Sequence, residues 1–210
     1  MMPTIILFDF GGVLVDLDKQ RCLEAFAALG FDASPYLSAF GQKGVFEGVE
    51  TGQTTLDDFC QAIRQLGIQP EATDEDILKA WGTFLVGVPA NRLELLLRIK
   101  QHYRTAVLSN TNEVHWGLAK DDYFRYQGRH VDDFFQDIFL SYELGVCKPD
   151  VRIFEQVIER LGLPPADILF LDDSERNCEV ARQCGMQARI APAGGEWMSY
   201  FDEEGRYILP

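Results

Sequence analysis

The apolar run Ile5-Ile6-Leu7-Phe8 stops at Asp9, and the turn-forming pair Gly11-Gly12 follows before Val13-Leu14. Such a run reads as a buried strand that ends in a carboxylate and a glycine turn, and ligands of open α/β sheets bind at the carboxyl ends of strands. An Asp before a glycine turn is also ordinary loop chemistry, so this segment alone leaves catalysis and turn-building equally open. The same grammar recurs later. Tyr103 to Leu108 reads as a strand ending at Ser109-Asn110, Ile138-Phe139-Leu140 as a short one ending at Ser141, Ile168 to Leu171 as one ending at Asp172-Asp173, and Gln187 to Ile190 as the last. Helical patterns separate them: Asn91 to Lys100, Pro149 to Leu161 closed by Gly162, and Glu175 to Cys184, capped by Ser174 and closed by Gly185. Strands alternating with helices demand parallel pairing through crossovers, which predicts an α/β fold built on a doubly wound parallel sheet.

Between the first two strands, from about Leu17 to Val86, the pattern is helical. Thr55-x-x-Asp58 opens the apolar positions Leu56, Phe59, Cys60 and Ile63, and Thr73-x-x-Asp76 opens Ile77, Ala80, Trp81 and Phe84. Both are capping signals ahead of amphipathic helices, whose aromatic positions read as core. Residues 1–16 and 87–210 are thus expected to form the sheet domain, and 17–86 a helical cap inserted at its ligand-binding edge, where it can act as a lid. The tail from Pro192 carries exposed-looking Trp197, Tyr200 and Phe201, and its expected place is against the sheet edge.

With 210 residues and 47% hydrophobic composition, the chain can bury a sizeable core. Nineteen basic against thirty-three acidic side chains leave a net charge of −14, which disfavours nucleic acid and anionic membranes as partners. No stretch approaches the roughly 18 apolar residues of a bilayer span, and Met1 to Phe10 lacks the marks of a signal peptide, so a cytoplasmic chain is expected. The five cysteines (Cys22, Cys60, Cys147, Cys178, Cys184) form no C-x-x-C pair and read as reduced. A phosphorylated substrate would be repelled by such a chain unless a cation reverses the field locally.

Asp9, Ser109-Asn110, Lys148 and Asp172-Asp173 all fall at strand or helix ends that converge on one edge. Adjacent buried carboxylates facing a third are tolerable only with a cation between them, and a hard ion such as Mg²⁺ takes oxygen ligands together with a substrate phosphate. Asp9-Phe10-Gly11-Gly12-Val13, Ser109, Gly145-x-x-Lys148-Pro149 and Phe170-Leu171-Asp172-Asp173 together closely resemble, in order and spacing, the four motifs of the haloacid dehalogenase superfamily over residues 4 to 190. The resemblance is closest to the capped subgroup that includes α-D-glucose-1-phosphate phosphatase and the phosphatase-like amino-terminal domain of epoxide hydrolases, and Phe46 to Phe59, with Glu50-Thr51-Gly52, resembles that subgroup's cap segment. It implies a Rossmann-like core and a Mg²⁺-dependent phosphatase acting on a small phosphorylated metabolite. By position, Asp9 would be the nucleophile that forms an aspartyl-phosphate. Ser109 and the Asn110 N–H would hold phosphoryl oxygens, Lys148 would neutralise Asp9 and the phosphate, and Gly12 would lie against the substrate. Asp9, the Gly11 carbonyl, Asp172 and Asp173 would form the metal site, with Asp172 holding a metal water or Lys148.

One position departs from the family. Most of its phosphatases carry an acid two residues after the nucleophile, where this chain has Gly11. General acid–base help is worth about 10² to 10⁴ in rate, and a leaving group that needs little protonation, as in a sugar 1-phosphate, suits its absence. Asp16 is a candidate substitute with a structural role as the stronger expectation. Halide displacement from a haloacid is disfavoured by the two motif acids, and a non-catalytic binding protein is supported by Gly11 alone. Substrate choice is expected to lie in the cap, through Phe46 and Glu47, and in the loop from Thr111 to Asp133, through His115, Trp116, Lys120, Arg125 and Arg129; for His115 a solvated or packed role is the stronger expectation.

Overall fold

The computed structural model of the chain describes residues 2–38 and 42–209; positions 1, 39–41 and 210 of the expected segments lie outside the described residues. In chain order the elements are β1 (Ile5–Phe8), β2 (Asp16–Leu17), α1 (Lys19–Ala28), α2 (Val45–Glu50), α3 (Leu56–Gln65), α4 (Asp74–Gly82), β3 (Leu85–Gly87) and α5 (Ala90–Ile99). They continue as β4 (Arg104–Ser109), α6 (Glu113–Leu118), α7 (Val131–Phe134), β5 (Asp137–Leu140), α8 (Ser141–Leu144), α9 (Val151–Leu161), β6 (Ile168–Asp172), α10 (Glu175–Gln183) and β7 (Gln187–Ile190).

Five strands pair in parallel in the order β5-β4-β1-β6-β7. β1 is central, with Phe8 opposite Val107 on one side and Leu171 on the other. The register therefore carries Asp9 out of the sheet between the end of β4 and the end of β6, and the Asp9 N–H extends the pairing to the Leu171 carbonyl at 2.8 Å. Side chains alternate between faces with the period of two that a strand imposes. Ile5 and Leu7 pack with Ile153, Phe154 and Val157 of α9, whereas Ile6 and Phe8 join the core that continues into the inserted helices.

The inserted helices form where the capping signals place them. The Thr55 side chain accepts from the Asp58 N–H, and Thr73 with Asp76 forms a reciprocal capping box. Phe46 is fully buried, with the rings of Phe26, Phe59 and Trp81 at 5.6, 5.0 and 5.2 Å. The block is not helical to its ends: β2 and β3 pair antiparallel and form a two-stranded stem. Strands of two and three residues carry no readable periodicity, which is why residues 17 and 85–86 read as helix. The stretch from Thr111 to Asp133, expected as a loop, likewise holds α6, a π-helical turn over Ala119–Tyr123 and α7. No described helix is long and apolar enough to cross a membrane.

The tail differs from its exposed-looking sequence. Trp197 is 0% exposed, its indole N–H donates to the Val13 carbonyl at 2.9 Å, and its ring meets Phe8 edge-on at 5.2 Å. Tyr200 donates to the Ile190 carbonyl at 2.6 Å, so the tail ties itself to β7 and seals the sheet face beneath β1. Aromatic residues near a terminus find burial where a sheet face would otherwise be bare, a fact of tertiary packing that local pattern does not carry. Trp197→Ala is expected to destabilise the protein by about 3–5 kcal/mol in urea titrations followed by circular dichroism; a loss below about 1 kcal/mol would contradict this packing role.

Candidate active site

Asp9 Oδ1 accepts from the Phe10 N–H at 2.6 Å and from Lys148 Nζ at 2.7 Å. Lys148 Nζ also donates to Asp172 Oδ2 at 2.7 Å and to the Leu108 carbonyl at 3.0 Å, so all three ammonium protons are placed. The lysine backbone is held in turn by Asn110, whose side-chain oxygen accepts from the Lys148 N–H at 2.7 Å while its amide donates to the Lys148 carbonyl at 2.8 Å. Burial pulls the ammonium's pKa down, and the Asp172 and Asp9 carboxylates more than offset it, so the group stays charged above the ordinary lysine range. Asp172 is fully buried, and its oxygens accept from the Ser174 N–H at 2.8 Å and from Asn177 Nδ2 at 2.9 and 3.1 Å.

Asp173 lies against Gly12, whose φ is +81°; a Cβ there would stand 2.5 Å from Asp173 Oδ2. The glycine thus makes room for a carboxylate, which is the contact the structure gives it. Oxygen atoms of Asp9, Asp172 and Asp173 lie within 4.8 Å of one another. Three carboxylates therefore share one ammonium. Burial pushes Asp9 up to about 7, against the pull of Lys148 and with Asp172 and Asp173 adding to the rise. Burial, followed by the charge of Asp172, pushes Asp173 up to about 6. An all-oxygen donor set with excess negative charge fits a hard divalent cation. The turn bonds Gly12 N–H to Val15 O and Val15 N–H to Phe10 O, at 2.8 and 2.9 Å, do not use the Gly11 carbonyl.

A cavity of about 620 Å³, counted out to its open mouth, lies over this edge. Asp9, Gly11, Asn110, Lys148, Asp173 and Asn177 line it from the sheet's carboxyl edge and the elements that follow the strands, and Leu17, Gln42, Glu50, Phe84 and Leu85 line it from the inserted block. A Cβ on Gly11 would sit 3.2 Å from Leu17 Cδ1, so a leucine fills the space beside this glycine. Ser109 is 1% exposed at the end of β4, its hydroxyl donates to the Asn110 carbonyl at 3.2 Å, and it is not among the residues that line the cavity.

The remaining candidates separate clearly. Asp16 pairs with the buried Arg92 guanidinium at 2.7 Å in the stem and is absent from the cavity lining. His115 lines the cavity but is packed on α6 rather than on a loop: its Nε2 meets the Trp81 carbonyl at 3.1 Å and its Nδ1 the Asn112 amide at 3.1 Å. A carbonyl only accepts, so Nε2 carries the proton and both ring nitrogens are committed. Burial pushes its pKa down to about 4, so the ring is neutral at pH 7. Trp116 packs on Phe10 at 5.6 Å, and Lys120, Arg125 and Arg129 are exposed away from the lining. Phe46 belongs to the aromatic core and Glu47 is exposed. Sequence reasoning gave no individual role to Glu50, Gln42, Leu17 or Asn177. Asn177 had a local signal, since it lies three residues beyond the Ser174 cap and so returns toward Asp172. The wall residues had none, because which side of an inserted block faces the sheet is set by docking.

Asp173 ionises at a cost in the metal-free fold. A carboxyl whose folded pKa is raised contributes stability below its unfolded value near 3.8, and that contribution is lost as pH rises through about 6. At pH 7.5 without metal, Asp173→Asn is expected to raise Tm by about 2–4 °C, after allowance for solvent screening. Mg²⁺ should then raise the wild-type Tm and leave the variant unchanged in calorimetry; equal Mg²⁺ responses, or a variant that melts lower, would contradict the assignment.

Residues 3–185 match the haloacid dehalogenase-like hydrolase family. A D-ribitol-5-phosphate phosphatase from Bacteroides thetaiotaomicron is 33% identical over 193 residues, covering 91% of this chain and 93% of the relative. The crystal structure of a wild-type HAD family enzyme from the same organism, in complex with magnesium and inorganic phosphate, superposes with a TM-score of 0.89 at 37% identity over 95% of this chain and 100% of that one. A HAD-like family hydrolase from Porphyromonas gingivalis does so with a TM-score of 0.85 at 30% identity over 95% and 96%. The parallel sheet, the carboxylate edge with its buried lysine and these similarities agree: the chain belongs to the haloacid dehalogenase-like hydrolases.

Proposed function

We propose that this protein is a Mg²⁺-dependent phosphatase that hydrolyses a small phosphate monoester, a sugar or sugar-alcohol phosphate by preference, through an aspartyl-phosphate on Asp9. The observation that carries the reading is the division of labour on that carboxylate. Lys148 and the Phe10 N–H both bind Oδ1, which leaves Oδ2 to attack phosphorus. The P–O bond to the alcohol breaks as the Asp9–phosphorus bond forms, and water then cleaves the acyl phosphate. Lys148 holds the attacking group and offsets charge on the phosphoryl oxygens. Ser109 takes part by turning its hydroxyl from the Asn110 carbonyl toward a phosphoryl oxygen, beside the Asn110 N–H. Asp9, Asp173 and the Gly11 carbonyl would hold Mg²⁺, with Asp172 fixing Lys148 behind them; when bound, the ion supplies positive charge against the phosphate.

Residues 17–86 serve in this reading as a cap joined to the core (1–16 and 87–210) through the β2–β3 stem. The cap wall and the cavity's modest volume suit a small metabolite and not a polymer. The lining is partly polar: the Thr111 hydroxyl is buried without a hydrogen-bond partner, and Gln42 and Asn177 belong to the same lining. Such groups recognise hydroxyls, because an unpaired buried hydroxyl otherwise costs stability. The D-ribitol-5-phosphate phosphatase likeness points to the same substrate class. Five unpaired cysteines accord with cytoplasmic residence, and the net charge of −14 disfavours nucleic acid. Three clustered carboxylates would repel a haloacid anion, which disfavours dehalogenation.

With Mg²⁺ present, phosphate release is expected from at least one member of a panel of pentitol, pentose and hexose phosphates, falling to the buffer background in Asp9→Asn and after chelation. No release from any ester, or release that survives Asp9→Asn, would refute the reading.

A further inference from the structure

We propose that Glu50, contributed by the inserted block, is the general acid and base of this reaction: it protonates the leaving alkoxide and later takes a proton from the water that splits the aspartyl-phosphate. This rests on the phosphatase reading above. The turn after Asp9 offers no such group, since Gly11 has no side chain and Leu17 fills the space beside it. The other titratable groups at the cavity are committed. Lys148 is bonded to Asp9 and Asp172, Asp173 belongs to the metal-binding cluster, and both nitrogens of His115 are taken. Asp16 is paired with Arg92 outside the lining. Among the described residues of the inserted block, Glu50 is the one carboxyl-bearing residue that lines the cavity, and it does so from the inserted helices while Asp9 lines it from the end of β1. An in-line displacement needs its proton donor away from the nucleophile, because the leaving oxygen departs on that side.

The backbone around Glu50 is built to hold that position. Its carbonyl accepts from the Ser141 hydroxyl at 2.6 Å and from Cys147 Sγ at 3.6 Å, and the same Ser141 oxygen accepts from the Thr111 N–H at 2.9 Å. Two residues on, Gly52 has φ +68°, and a Cβ there would fall 2.1 Å from the Tyr142 carbonyl. The turn that carries Glu50 is thus docked on the start of α8, directly after β5. Glu50 is 7% exposed, and burial, the largest influence, pushes its carboxyl up to about 8, against the Gln42 N–H that binds it and with Glu47 adding to the rise. It is therefore protonated at pH 7, as a proton donor must be. The ionisable groups around it are Glu47 on its own helix, Cys147 near its carbonyl, Tyr142 and Glu143 on α8, which packs against α2, and Asp9, Lys148, Asp173 and the neutral His115 in the same cavity lining. α3 meets α2 through Phe59 against Phe46, and the start of α8 offers the Ser141 hydroxyl and the Tyr142 carbonyl.

The protons balance. In the first step Oδ2 of Asp9 bonds to phosphorus, the ester P–O bond breaks, and the Glu50 proton goes to the alkoxide, which leaves as the alcohol. In the second, water attacks phosphorus, one of its protons returns to Glu50, and Asp9 departs as carboxylate with inorganic phosphate.

The test compares wild type and Glu50→Gln on two esters across pH 5.5–9.5, a primary alkyl phosphate whose leaving group needs protonation and p-nitrophenyl phosphate whose leaving group does not. The expected result is a loss in kcat/KM of about 10² to 10⁴ on the alkyl ester and a far smaller one on the aryl ester. Wild-type kcat/KM on the alkyl ester should fall above about pH 8, with no such limb on the aryl ester. Infrared difference spectra should show a protonated carboxyl band that titrates in the same range and is missing in Glu50→Gln. Should that variant fail to fold, the two wild-type profiles and the infrared titration decide alone. Equal losses on both esters, the same basic limb on both, or a Glu50 ionised at pH 7 would overturn the proposal. Wild-type silence on every ester would instead remove the phosphatase reading, and this assignment with it.

Discussion

The Lys148 ammonium donates to Asp9 after β1, to Asp172 at the end of β6 and to the Leu108 carbonyl within β4, so three neighbouring parallel strands converge on one buried cation. Truncating one member of such a cluster leaves an unpaired buried charge, which costs about 3–5 kcal/mol. The cluster is also left with charge to spare, three carboxylates against one ammonium, and burial accordingly drives Asp9 and Asp173 toward protonation. A site that resists its own ionisation is relieved by a second cation. The excess negative charge that opposes ionisation of Asp9 and Asp173 is the feature that would suit a divalent ion at this cluster.

That arrangement follows from the sheet. With β1 between β4 and β6, the residues after each strand meet without any long loop to position them, and the parallel register fixes their depth. The inserted block adds what the edge lacks. Leucine fills the space beside Gly11, and the block's own wall supplies hydrogen-bonding and titratable groups, held down by the Ser141 bridge between Thr111 and Glu50. In the proposed function the charged residues at the strand ends would handle the phosphate and the inserted block would contact the rest of the substrate.

Much of this was legible in the sequence, for local reasons. Apolar runs that end at Asp9, Ser109 and Asp172 mark strand ends whatever their neighbours, and Thr55, Thr73 and Ser174 cap the helices they open. What escaped is what depends on docking. The β2–β3 stem is too short to show a period, and α6 and α7 are short helices inside a segment that reads as loop. Trp197 looked exposed because nothing local announces that it lies across Phe8. Phe46 and Glu47 were reasonable candidates for the wall, yet Phe46 turns into the aromatic core, and Glu50, one helical turn on, faces the cavity. Which face of α2 meets the sheet is decided by contacts distant in sequence, and no periodicity within six residues reveals it.

The central claim is that the Asp9 carboxylate, held by Lys148 at one oxygen, becomes covalently phosphorylated by the other. Its most direct test is rapid acid quench of the Mg²⁺-loaded enzyme on a ³²P-labelled ester that it turns over, followed by mass spectrometry of the labelled peptide. The account predicts a hydroxylamine-labile phosphoryl group on Asp9 that forms and decays at rates consistent with turnover. Steady phosphate release with no labelled enzyme at any quench time, or a label on a different residue, would contradict it.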